Sequence, residues 1–215
     1  MVDVGDWRMP ARYAAPEDEA AKVRAAVGIA DFSPLGKLTV HGDDLDELLD
    51  GAERLEVGRV RISSPSGYEG PGEMAVARVA HDELMILIPP GAAPSFAHLA
   101  DSLGGCAHVV DVTSGFCCVK VTGPRSRRLL SRLTELDLRD APFADLSCAQ
   151  GKLAEIECLV VRRDLNGLLN FDLLFSRDYG EYVWESLLEA GGGLEVIPYG
   201  HEAMSLLGGS DHGGH

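Results

Sequence analysis

The chain has 215 residues, 46% of them hydrophobic, which is enough for a large core and too apolar for a disordered tail. Its 19 Lys and Arg against 34 Asp and Glu give a net charge of −15, which disfavours nucleic acid and anionic membrane as partners. No run of about eighteen apolar residues is present to span a bilayer, and residues 1–10 lack the basic-then-apolar pattern of a secretion signal. The five cysteines, Cys106, Cys117, Cys118, Cys148 and Cys158, have no metal-type spacing. They read as reduced, mostly buried thiols of a cytoplasmic protein. Cys117 and Cys118 adjoin in an apolar run and are expected on opposite faces of a strand.

In chain order, residues 15–27 predict a short helix, with Pro16 and the acids Glu17 to Glu19 in its first turn and Gly28 as its stop. Residues 37–41 alternate as a strand ending at Gly42, after which Asp43 and Asp44 open a helix through Leu45, Leu48 and Leu49. Strands follow at 57–62 and 73–80, then a hairpin at His81-Asp82 into 84–88, which Pro89-Pro90-Gly91 ends. Residues 94–103 read as a helix. Further on, 152–162 reads as one long strand, and 170–175 as its hairpin partner across Asp164-Leu165-Asn166-Gly167. Residues 178–190 predict a helix with Tyr182, Leu187 and Leu188 towards the core, stopped by Gly191 to Gly193. Residues 208–215 form a small, polar tail that is expected to be mobile.

The second half repeats the first in outline. Val40-x-Gly42 with Leu48-Leu49 is matched by Val121-x-Gly123 with Leu129-Leu130, the leucine pair following the glycine at the same distance in both. The expected fold is α+β: two similar subdomains of mainly antiparallel sheet with packed helices, halves at about 30–104 and 109–190 within a single 1–207 domain. Strand–Gly–helix is a common unit, so coincidence is the competing explanation.

Several segments, in order, resemble the folate-binding domain of glycine-cleavage T-proteins. They are Trp7 to Tyr13, Val27 to Ser33 with Leu35-Gly36-Lys37, Gly123-Pro124-Arg125-Ser126 with its leucines, Arg177 to Trp184, and Pro198 to Met204. Leu136-Asp137-Leu138 with Phe143, Cys148 and Ala149 is similar to the gamma subunits of sarcosine oxidases. The family's C-terminal barrel has no counterpart in these residues. The resemblance implies two related α+β subdomains that bind tetrahydrofolate and accept a one-carbon unit from a methylated or aminomethyl amine. It implies a catalytic carboxylate at Glu73 and a cofactor site including Tyr68, Arg78, Arg162, Asp172 and Trp184. It also implies partners, either subunits of a flavin-dependent amine oxidase or demethylase complex or further copies of the chain.

Three polar positions depart from the family pattern. Glu73 stands where the family has its reactive-site Asp, one methylene longer. Leu168 stands where a Glu holds the pterin, and Pro89 where an Asn follows the strand. The sequence therefore supports two readings: a subunit with a degenerate folate site, or a minimal transferase using Glu73.

Other chemistry finds little support. His41, His81, His98, His108 and His201 are scattered with no nucleophile elbow. His201, His212 and His215 lie in or beside the glycine-rich tail, and no metal site is assigned. Arg125, Arg127, Arg128 and Arg132 form a basic helix face that either balances local acids or docks an acidic partner. Arg162 and Arg163 are either an anion contact or ordinary strand-end charges. Trp7 and Trp184 are most simply core or capping aromatics.

Overall fold

The structure, a computed structural model, describes residues 1–43, 45, 54–63, 73–90 and 107–208. The expected helices at 43–49 and 94–103 lie almost wholly outside these residues, as do Tyr68, Cys106, His98, His212 and His215. The described elements are mainly strands, arranged as a two-stranded ribbon and two larger, mainly antiparallel sheets, with four α-helices.

The chain opens with a ribbon of β1 (Val2–Val4) and β2 (Trp7–Met9). Helix α1 (Pro16–Ala25) follows, with Pro16 at its start and a short link into β3 (Val27–Asp31). The first sheet contains β4 (Gly36–His41), β5 (Val60–Ser63), β6 (Met74–Ala80), β7 (Glu83–Ile88) and β8 (His108–Asp111) in the order β5-β6-β7-β4-β8. The second contains β9 (Phe116–Thr122), β10 (Ser147–Leu153), β11 (Ile156–Arg162), β12 (Asn170–Ser176) and β13 (Val196–Pro198) with β3, in the order β10-β11-β12-β9-β3-β13. Only β13, against β3, runs parallel. Helices α2 (Ser126–Leu130), α3 (Gly180–Ala190) and α4 (His201–Leu206) complete the chain.

Strand periodicity sorts the side chains into layers. Phe171, Leu173 and Phe175 of β12 join Leu129, Leu130, Val183 and Leu187 in a core under α2 and α3. The intervening Leu174, with Cys118 and Val161, faces a second core that also contains Ala75, Ala77, Met85 and Leu87 of the first sheet and Ala20, Val23 and Met204 of α1 and α4. The two sheets thus share one apolar layer. The far face of the first sheet buries Leu38, Val40, Val76 and Ile86 in a third. Cys118 and Cys117 do lie on opposite sides, the first buried and the second half-buried. Burial pushes the thiols of Cys118 and Cys148 up to about 12, which keeps them unreactive.

At the turn from β9 to α2, Gly123 adopts φ +122°, and a Cβ there would sit 2.5 Å from the Val23 carbonyl oxygen. Only glycine allows this turn to seat on the end of α1. The matching Gly42 also ends a strand, but the helix expected after it is outside the described residues.

Two expectations are corrected. Residues 152–162 are not one strand: β10 and β11 form a hairpin, reversing at Ala154 and Glu155, with φ of +48° and +67°. The turn was invisible because neither residue is a glycine, asparagine or aspartate. By contrast, the hairpin at Asn166-Gly167, with φ of +49° and +78°, was legible. Two consecutive left-handed residues without a permissive side chain are strained. Replacing Ala154-Glu155 by Asn-Gly is therefore expected to stabilise the chain by about 1 kcal/mol and raise Tm by about 2–4 °C. A lowered melting temperature would show the turn to be unstrained. The second correction concerns α3. Leu187 is buried, but Tyr182 and Leu188 are 49% and 40% exposed, while Val183 takes the core position.

Candidate functional site

The most unusual chemistry in the described residues lies in the layer between the sheets. Strands β9 and β12 pair so that Lys120 sits directly opposite Asp172. The Lys120 ammonium donates to Asp172 Oδ1 at 2.9 Å, both side chains being essentially solvent-free. It also lies 4.4 Å from the centre of the Phe32 ring, within cation–π range. Arg163 approaches the other carboxylate oxygen at 3.3 Å.

A chain of hydrogen bonds continues from there. Asn170 donates to Asp172 Oδ1 at 3.2 Å, Thr122 donates to Asn170 Oδ1 at 2.8 Å, and the Thr122 and Tyr199 hydroxyls lie 2.7 Å apart. Burial raises the Asp172 carboxyl pKa. The Lys120 and Arg163 charges and the hydrogen bonds from Lys120 and Asn170 lower it more, so the group is held below the usual carboxylate range. Burial likewise pushes the Tyr199 phenol up, so it remains a neutral donor.

A second buried cation, Lys37, makes no salt bridge among the described residues. Its ammonium donates to the carbonyls of Ser33 at 2.9 Å, Leu35 at 2.8 Å and Thr113 at 3.3 Å. Burial lowers its pKa against the nearby cysteines and aspartates. It closes the bend between β3 and β4 rather than facing a cleft.

Among the described residues, the assigned site residues do not share one face. Asp172 shares a sheet face with Val161 and Leu174, while Arg162 pairs with Phe171 and points to the other face. There Arg162 donates to the Phe143 carbonyl at 2.8 Å and binds Asp164 and Asp140 at 2.7 and 2.9 Å. Trp184 is half-buried in that same α2–α3 core. Arg78, in the other sheet, is buried and turns back to the carbonyls of Ala80 and His81 at its own hairpin. Glu73 is exposed just before β6, and Tyr68 is outside the described residues. Leu168 packs, partly buried, against the shared core, and Pro89 is buried directly after β7.

The basic face of α2 turns out to serve local acids and carbonyls. Arg127 binds Asp140 and the Leu138 carbonyl, Arg125 binds Glu195, and Arg132 caps the carbonyls of Ala190 and Gly192. Lys120, Asn170, Thr122 and Tyr199 escaped the sequence reading. A single lysine within the apolar run Phe116 to Val121 was the available signal, because a lone buried charge requires a partner.

A family model described as the GCVT N-terminal domain matches residues 1–208. The chain belongs to that family. An aminomethyltransferase of Halothermothrix orenii is 26% identical over 96% of the chain, which spans 60% of that relative. A sarcosine oxidase subunit alpha of a Corynebacterium species is 31% identical over 95% of the chain and 24% of the relative. The chain thus spans about 60% or less of the length of the curated relatives it matches. Among solved structures, the glycine cleavage system aminomethyltransferase T of Bartonella henselae superposes with a TM-score of 0.74 at 21% identity, covering 94% of this chain and 55% of that one. Heterotetrameric sarcosine oxidase of Corynebacterium matches with a TM-score of 0.66 at 18% identity, covering 85% of this chain and 96% of that one. These structural likenesses place the GCVT-type fold, α+β with antiparallel sheets, on the chain independently of its motifs.

Proposed function

We propose that this GCVT-family chain is a subunit of a cytoplasmic complex that metabolises one-carbon units or methylated amines, and that its own tetrahydrofolate site is degenerate. One observation carries the reading. Asp172, the acid left in the stretch where the family holds its pterin, has both oxygens engaged by Lys120, Asn170 and Arg163 at zero exposure. With Leu168 as the neighbouring candidate, a pterin would leave buried N–H donors unpaired at about 1–3 kcal/mol each. These residues do not fit tetrahydrofolate. The sarcosine oxidase relatives support a role beside other subunits.

The competing reading, a folate-dependent transferase using Glu73, is favoured by the exposed position of that carboxylate and by the aminomethyltransferase relatives. Calorimetric titration of the full chain with tetrahydrofolate separates the two. Affinity weaker than about 1 mM is expected. Micromolar binding that disappears in Glu73→Ala would overturn the degenerate-site reading.

A further inference from the structure

No described residue outside α3 accounts for the make-up of its solvent face. Tyr179, Tyr182 and Leu188 are 44%, 49% and 40% exposed, a concentration of large apolar side chains within ten residues. Scattered single hydrophobics need no account, but a clustered set does. Helical spacing puts Glu181, Glu185 and Glu189 between Tyr182 and Leu188 on the outward arc, opposite the core-facing Val183 and Leu187. Glu181 with Glu185, and Glu185 with Glu189, are like charges four residues apart, which weaken the helix. Glu189 also lies at the negative end of the helix dipole, and the helix itself has no basic residue in its last turn. The arrangement thus costs helix stability while exposing apolar surface.

We propose that this face of α3 docks a partner protein, whose lysines or arginines meet the central stripe of three glutamates and whose apolar groups cover Tyr182 on one flank and Leu188 on the other. The inference rests on the subunit reading and names the surface that the subunit uses. Charge selects the occupant. A second copy meeting this face with its own α3 would set three glutamates against three, in a chain of net charge −15. A second copy offering α2 instead has most of its guanidiniums already engaged, since Arg125, Arg127 and Arg132 bind groups of their own chain. A foreign surface with basic groups at its centre is left.

The test uses the full chain, tagged and purified from its own cells under low and high salt, with co-purifying flavoprotein read from the flavin absorbance band. The unaltered chain is compared with E181Q/E185Q/E189Q, which removes charge with little change of shape, and with Y182S/L188S. Circular dichroism checks that each is folded. At least about a tenfold loss of flavoprotein is expected from either variant, with salt reproducing the loss for the unaltered chain. Undiminished flavoprotein on both folded variants overturns the α3 surface while leaving the subunit reading intact. Absence of flavoprotein from the unaltered chain overturns the subunit reading, and this inference with it. Self-association that the variants abolish would overturn the proposal in favour of a second copy.

Discussion

Asp172→Asn is expected to destabilise the chain by about 3–5 kcal/mol, the usual cost of breaking a buried ion pair by removing one partner. The asparagine keeps the shape but leaves Lys120, with essentially no exposure to water, without its counter-charge. Lys120→Met alone should cost a similar amount, because it strands the carboxylate. The double replacement Lys120→Met with Asp172→Leu should cost much less than the sum, since well-packed apolar groups replace buried pairs at little or no loss. Urea midpoints at constant slope measure all three. A loss below about 1 kcal/mol in Asp172→Asn would mean that water reaches the pair.

The same pair fixes an acid limit. The folded carboxyl titrates below the ordinary value because the Lys120 and Arg163 charges outweigh its burial. A depressed folded pKa contributes stability that is fully present above the unfolded pKa of about 4. That contribution is lost as pH falls through the lower folded value. Unfolding free energy should therefore decline below about pH 4 in the parent, with a shallower slope in the Lys120→Met, Asp172→Leu chain.

How much of this could be read from the chain depended on whether the signal was local. Strands β4, β6, β7 and β12 carried their alternation and turn residues in plain view, and the Asn166-Gly167 hairpin announced itself. The Ala154-Glu155 turn did not, because its backbone geometry is imposed by the pairing of β10 with β11 rather than by residue type. In α3, the stripe Tyr182, Leu187 and Leu188 was misjudged because amphipathic spacing cannot say which arc meets the sheet. The site was harder still. Motif spacing pointed to Asp172, but its partner lies fifty-two positions away in sequence and becomes a neighbour only through strand register. Alternation along β11 likewise separates Arg162 from Arg163, sending one to each face, and adjacency in the sequence hides that difference.

Glu19→Ala is expected to cost about 3 kcal/mol or more and to loosen both ends of the chain together. In the sequence Glu19 is a first-turn helix acid, a role in which an exposed carboxylate contributes only about 0.3–1 kcal/mol. In the structure it is 2% exposed. One carboxylate oxygen accepts from the backbone N–H groups of Tyr13 and Ala14, and the other accepts from Gly200 N–H at 2.8 Å. It therefore ties the segment before α1 to the start of α4, where His201 and Glu202 N–H groups also donate to the Pro10 and Ala11 carbonyls. Gly200 itself admits no larger residue, because a Cβ there would lie 2.3 Å from the Ala11 carbonyl oxygen. Truncation at Glu19 strands up to three backbone donors at once, and the packing is too close for a ready replacement acceptor. Glutamine is the discriminating control: its amide keeps one acceptor oxygen but turns a donor towards either Gly200 N–H or the Tyr13–Ala14 pair. It should recover only part of the loss. Amide hydrogen exchange at residues 13, 14 and 200 reads the effect directly, with all three accelerating together in Glu19→Ala. Independent acceleration of one end alone would mean that the carboxylate anchors two segments without coupling them.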